Sequence, residues 1–476
     1  MPTVPLPRLT DPRWLPRLLL FVAMVVACVS ARPYAGGWND GSRLASVESL
    51  VDRHTFAIDN SVFIRVPPAL IERGTTPYPP NQPHLLKTGS LDKLLIDGHF
   101  YSDKPPVVSV LMAGEYQLWR WLGGPSFAER PDVVCYFLTL GTSGLAFVLM
   151  VWSYYQIGLL LRLPLRTRMI LLAGFSICTM APAYTRYVNN HILFLAVFAM
   201  ILWQALLLRE DPRQLKRLIL LGILGGLGYN LDLGLAPFLA AGLFGLVVYR
   251  CRQWRPIAAF VLAALPWVVA HHVLNHAIGG SWIKPANANP QYFDWPGCPF
   301  SSNNMTGVFR HDAWGFVKYS LDLLFGKKGL LSHNLPLFFA VAASFVLGRA
   351  KQLDAEGYFA LFFIIGGWLS YAALSNNLGG ACASVRWFAP FVAGGYYFTA
   401  QFLSRHPASL RSIATLSAFG LPIAGLMWWY GPWMLHMVPG LWFFLAAGLM
   451  AWGYREYTQR KIVLNDPADE IRSQAA

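Results

Sequence analysis

The chain has 476 residues, 55% hydrophobic and 14% aromatic but only 13% charged, with a mean hydropathy of +0.41. Soluble domains carry about a quarter charged residues and disordered chains few aromatics, so both classes are excluded. The formal charge of +14, from 38 Lys and Arg against 24 Asp and Glu, would point to nucleic acid in a soluble protein. In a chain this apolar its placement matters more than its size, and no nucleic-acid partner is expected.

Taken in chain order, the apolar runs read as about twelve transmembrane helices: 18–31, 133–160, 169–183, 192–208, 218–230, 234–248, 257–274, 335–347, 358–374, 387–403, 413–430 and 438–454. The expected fold is an all-α polytopic membrane bundle, one domain over 1–476. The first run, with its basic start and its Val29-Ser30-Ala31 ending, also has the form of a cleavable leader. With the N-terminus in the cytosol, the cytosolic segments hold 21 basic residues against nine acidic ones, while the rest of the chain holds 17 against 15. The count includes Arg8, Asp11, Asp466, Asp469, Glu470 and Arg472 near the two ends. Positive charge is retained on the cytosolic side during insertion, so both termini are expected to be cytoplasmic.

That orientation leaves three polar regions outside. The first outer loop covers 32–132, and about a hundred residues between otherwise tightly joined helices is far more than a connector needs. Within it, 105–123 is apolar enough to span, but counting it would send every later Arg-rich loop outside. Glu115, Arg120, Trp119 and Trp121 fit a helix lying at the interface. The second long outer loop, 275–332, carries Trp282, Tyr292, Trp295 and Trp314, and the third, 375–386, reads SNNLGGACASVR. Six cysteines show no metal spacing. Only Cys298 and Cys382 fall in outer loops, where a disulfide between them is one reading and two free thiols the other.

The chemistry concentrates in the first outer loop. Trp38-Asn39-Asp40-Gly41-Ser42-Arg43 places a carboxylate and a guanidinium within one helical turn where the chain leaves the bilayer. Further on, Leu91-Asp92-Lys93-Leu94-Leu95-Ile96-Asp97-Gly98-His99-Phe100-Tyr101-Ser102-Asp103-Lys104-Pro105-Pro106 gathers acids, lysines and a histidine before a Pro pair suited to a helix's first turn. Fixed cations stabilise charge developing on a departing phosphate, Arg as a bidentate fork and Lys as a point charge. An attacking hydroxyl needs a base, which a carboxylate such as Asp40 can supply. Asp40 and Arg43 read equally as a helix cap and its neighbour.

These two elements, in this order and on this side of the membrane, resemble the C-type membrane glycosyltransferases, particularly the aminoarabinose transferase and protein O-mannosyltransferase branch. The resemblance implies an inverting transfer of a sugar from a polyprenyl-phosphate donor to a lipid, protein or glycan acceptor, by an integral protein of the bacterial inner membrane with its active site outside. Asp40 matches the leading catalytic acid of the family. Asp103 matches the acid just before the family's lysine, and Arg43 and Lys104 match the groups that hold the lipid phosphate. Two departures stand out. Gly41 occupies a place where many relatives carry a second acid, and His191 occupies one where they often carry an aspartate.

Arg186 and Arg386 sit at outer span ends, where topology calls for no positive charge, and are further candidates for the phosphate. A divalent metal is the one cofactor considered, with His191 and Asp40 as candidate ligands. Two rival readings stay open: a ligase or polymerase using a lipid-linked glycan whole, and a transporter or flippase, for which Asp232 at a span edge is the main argument.

Overall fold

The computed structural model describes residues 12–301, 304–307 and 309–464, with only the backbone for 459–464. Arg8, Asp11, Asp466, Asp469, Glu470 and Arg472, counted above among the cytosolic charges, lie outside the described residues.

Each of the twelve apolar runs coincides largely with a helix. Five helical stretches among the described residues are long and apolar enough to cross a membrane: Pro131–Leu160, Asn190–Glu210, Trp254–Ile278, Ala355–Leu374 and Pro407–Tyr430. The pair Ala313–His333 and Pro336–Arg349, bent by 108°, makes a sixth if it is one span, and Trp14–Ser30 and Ala236–Cys251 are shorter apolar helices. The chain is thus a helical integral membrane protein.

Its centre is Asn190–Glu210, which packs against Leu145–Leu160, Leu215–Leu231 and Ala389–Leu403. Packing at the periphery relies on small residues. Gly222 and Gly226, four apart on Leu215–Leu231, meet the backbone of Trp254–Ile278 at Phe260 and Ala264, leaving no room for a Cβ. Close backbone approach replaces the hydrophobic drive that lipid cannot supply.

The all-α expectation fails in one place. Lys93–Ile96 pairs antiparallel with His99–Ser102, Lys93 opposite Ser102 and Ile96 opposite His99. Asp97 and Gly98 form the two-residue turn, both with positive φ (49° and 83°), the geometry that an Asp-Gly pair favours. This hairpin belongs to a folded first loop. Helix Trp38–Asp52 is buried along most of its length. Ser42 Oγ donates to Asp92 O at 2.5 Å and lies 2.6 Å from Ser102 Oγ, while Ser90 Oγ donates to Trp38 O at 2.7 Å, tying helix to hairpin. Buried Glu48 accepts from Ser61 Oγ (2.6 Å) and Val62 N (3.0 Å) and pairs with Arg53 at 2.9 Å. The apolar segment after Pro105 forms helix Pro106–Trp121, which packs on Trp38–Asp52 and leaves Trp121 and Leu122 exposed at its end.

Cys298 and Cys382 are both free thiols, which removes the disulfide reading. Cys382 instead donates from Sγ to Leu378 O at 3.2 Å.

Candidate functional site

The three polar regions meet at one end of the bundle around a cavity of about 460 Å³. The first loop contributes Asn39, Arg43, Asp92, Asp103 and Lys104 to its wall. The start of Asn190–Glu210 contributes Asn190 and His191, and the turn after Leu215–Leu231 contributes Asp232. Asn287, Phe300 and Asn304 come from the second loop, and Asn377 and Arg386 from the third.

Arg43 projects from helix Trp38–Asp52 and is 1% exposed. Its Nη2 donates to Asn190 Oδ1 at 2.9 Å, and Asn190 Nδ2 in turn donates to Leu231 O at 2.5 Å, so the fork is oriented by the helix that crosses beside it. Its Nε and Nη1 are buried and have no partner. Burial pushes this guanidinium down to about 10, which still leaves it charged at neutral pH. A buried cation with unmet N–H groups costs several kcal/mol unless something anionic completes it.

Lys104 lies between two carboxylates, 2.6 Å from Asp92 and 2.8 Å from Asp103. Burial raises Asp103 above the usual carboxylate range although Lys104 beside it pulls the other way, and its Oδ1 is buried without a partner. Arg386 lies with its guanidinium carbon 5.6 Å from the centroid of the Trp433 ring, and its Nε is also buried and unpartnered. His191 Nε2 and Asn39 Oδ1, on the same wall, are likewise buried without a partner. Both acids from the first loop are therefore taken up by Lys104, while Arg43 and Arg386 make no ion pair among the described residues.

Two of the candidate residues lie away from this cavity. Asp40 does not line the cavity; it is fully buried, and its two oxygens accept from Gly36 N (2.5 Å) and Gly37 N (3.0 Å), so it caps the backbone at the start of the helix that carries Arg43. Desolvation raises it to about 7 despite these bonds. His191 is on the cavity wall and Asp40 is not, and among the described residues no three His, Cys, Asp or Glu side chains converge. Arg186 is also absent from the cavity wall. Its Nη1 donates to the backbone oxygens of Trp428 and Trp429 (the latter at 2.6 Å), at the C-terminal end of Leu410–Tyr430, where a helix leaves carbonyls free and favours a cation.

Gly41, where relatives carry a second acid, leaves no room for any side chain. A Cβ there would collide with the hydroxyl of Tyr78, which is held by a 2.7 Å bond to Phe63 O. The residues to which sequence reasoning gives no role are Asn190 and Asn39, for which no signal exists in isolation. Asp232 has one, as an acid at the edge of an apolar run.

A bundle of apolar helices closing around a cavity lined by both cations and carboxylates at one end defines the class: a polytopic membrane protein with a polar site at the mouth of its bundle. By sequence the chain matches no protein-family model and no curated protein. By fold it is similar to ArnT of Cupriavidus metallidurans bound to undecaprenyl phosphate, at 10% identity and a TM-score of 0.48, over 87% of this chain and 70% of that one. It is similar also to apo ArnT (14%, 0.48, 84% and 62%) and to the apo oligosaccharyltransferase of Archaeoglobus fulgidus (11%, 0.43, 92% and 56%). Both have the C-type glycosyltransferase fold, the family that the first-loop motifs resemble. Likenesses of this size assign no residue a role.

Proposed function

We propose that the chain is a membrane glycosyltransferase that moves a sugar, with inversion, from a polyprenyl-phosphate donor to a lipid, protein or glycan acceptor on the outer side of the bacterial inner membrane. The observation that carries this reading is Arg43: a buried guanidinium with two unpartnered N–H groups on the wall of a cavity it shares with Lys104 and Arg386. A phosphate oxygen meets all three needs at once. Its negative charge offsets the burial of Arg43, answers Arg386, which also has no ion pair among the described residues, and faces the point charge of Lys104.

As the bond between the anomeric carbon and the phosphate oxygen breaks, charge builds on that oxygen. Cations already fixed in place stabilise it without reorganising. Asn190 fixes Arg43, and Asp92 and Asp103 fix Lys104. A cavity of about 460 Å³ suits one sugar phosphate better than a whole lipid-linked glycan, which favours this reading over the ligase or polymerase.

The test is consumption of radiolabelled polyprenyl-phosphate sugars, offered as a panel to the purified protein in nanodiscs. Turnover or slow hydrolysis of one donor, lost in Arg43→Gln and weakened in Lys104→Ala while both variants remain folded, is the expected result. Consumption of none by folded wild-type protein would sink the proposal and leave the transporter and ligase readings.

A further inference from the structure

The transfer proposed above needs a group to receive the proton of the acceptor hydroxyl, and this inference rests on that reading. Asp40 is excluded by its place in the helix cap, and Asp92 and Asp103 are bound to Lys104. Among the described residues, Asp232 is the carboxylate on the cavity wall with no cationic partner. Asp232 lies in the turn between Leu215–Leu231 and Ala236–Cys251, outside both helices.

Its two oxygens are used unequally. Oδ1 accepts from Gly234 N (2.9 Å), Leu235 N (3.2 Å) and the hydroxyl of Tyr371 (2.7 Å). Oδ2 carries no hydrogen bond among the described residues, and it is not among the sealed, unpartnered atoms, as Asp103 Oδ1 is. Tyr371 is itself immobilised. Its ring stacks on Trp387 with centroids 4.3 Å apart and planes 13° from parallel, and meets Phe388 edge-on. A carboxylate with one oxygen anchored three times and the other free toward a cavity is oriented to act on something in that cavity.

We propose that Asp232 is the general base of the transfer, with Tyr371 as its positioning residue. Asp232 Oδ2 takes the proton of the acceptor hydroxyl as the hydroxyl oxygen bonds to the anomeric carbon. The bond from that carbon to the phosphate oxygen breaks, and its electron pair leaves on the phosphate held by Arg43, Lys104 and Arg386. Base and phosphate site thus belong to different elements, Asp232 to a turn between helices and Arg43 and Lys104 to the first loop.

The electrostatics agree with the geometry. Burial raises Asp232 to about 6, while the Tyr371 hydroxyl, the two backbone N–H groups and the more distant Arg386 pull it down. The other charged or titratable groups on the cavity wall are Arg43, Lys104, Asp92, Asp103 and His191. A base of this strength is ionised at neutral pH and more basic than an exposed aspartate.

The experiment measures donor consumption against pH for the full chain in nanodiscs, with binding of the bare polyprenyl phosphate measured in parallel. Asp232→Asn should lower turnover about 100-fold or more, at the lower end of what general-base catalysis contributes, and flatten the rising limb near pH 6. Phosphate binding should stay within about two-fold, in contrast to Arg43→Gln. Tyr371→Phe removes a hydrogen bond to the ionised form, so its limb should move to higher pH with a smaller loss of rate. It serves as the second probe if Asp232→Asn does not fold. Wild-type turnover that Arg43→Gln abolishes but Asp232→Asn leaves unchanged in size and pH profile removes the base assignment and leaves the transferase standing. Failure of the wild type to consume any donor removes both.

Discussion

Two arginines at opposite ends of the bundle, Arg43 buried and Arg250 partly buried, show how differently the same side chain is used. Arg250, at the end of Ala236–Cys251, forms a fork on Glu356: Nε to Oε1 at 3.1 Å, and Nη2 to Oε1 and Oε2 at 2.7 Å each. Glu356 is 0% exposed, so this charge pair is closed on itself. Arg43, at the other end, gives one bond to a neutral amide, leaves Nε and Nη1 buried without a partner, and lines a cavity. Volume does not tell the two ends apart. A cavity of about 710 Å³, larger than the one at Arg43, is lined by Arg209, Arg250 and Asp354, but its charges answer one another, Arg250 on Glu356 and Arg209 3.7 Å from Asp354. What separates the two ends is that Arg250 has an anionic partner and Arg43 has none among the described residues.

The largest expected effect tests the closed end. Arg250→Gln strands Glu356 without its partner and should cost about 3–5 kcal/mol of stability, read by unfolding in detergent, with an unchanged donor KM. Arg43→Gln should do the reverse, lowering kcat/KM for the donor by about 100-fold or more while leaving the unfolding temperature unchanged or raised, because it removes a cation that the empty site does not satisfy. If both variants behaved alike, the contrast between the two arginines would collapse. Lys104→Ala should weaken donor turnover about 10-fold or more, since a second cation remains at Arg43, and the kinetics of the double variant would show whether the two act as one unit.

The smallest effect concerns Asp40. As a cap, Asp40→Ala should cost about 1 kcal/mol of stability. The pH dependence has a definite sign. The folded carboxyl titrates near 7 and the unfolded one near its ordinary value of 3.8, so the folded form is favoured below 3.8. That contribution is lost progressively as pH rises from about 4 to 7. Stability should fall across this window in the wild type and fall less in Asp40→Asn. A loss of turnover in Asp40→Asn as deep as that in Arg43→Gln, with stability intact, would instead return Asp40 to the chemistry.

Much of the site is legible in the sequence. Arg43, Lys104, Asp103 and Arg386 stand out there by their charge and placement, and all four line one cavity. The same logic singles out Arg186, an arginine where topology calls for none, yet its guanidinium holds the end of a helix. Position relative to a membrane tells which charges need explaining, but a guanidinium is satisfied by carbonyls as readily as by phosphate. The hairpin escapes a reading by charge, although Asp97-Gly98 announces its turn, because the signal of its strands lies in the alternation of side chains on either side.

The sequence by itself determined the class of molecule. Apolar runs must become helices in lipid because every backbone group needs a partner there, and the bias of Lys and Arg sets the expected orientation. The tertiary structure alone decided the division of labour among carboxylates. Asp40, Asp92, Asp103 and Asp232 are chemically identical in the sequence, yet one caps a helix, two hold Lys104, and one turns a free oxygen to the cavity. The role of a carboxylate is set by which of its lone pairs are already taken, and the partners that take them come from elements far apart in the chain.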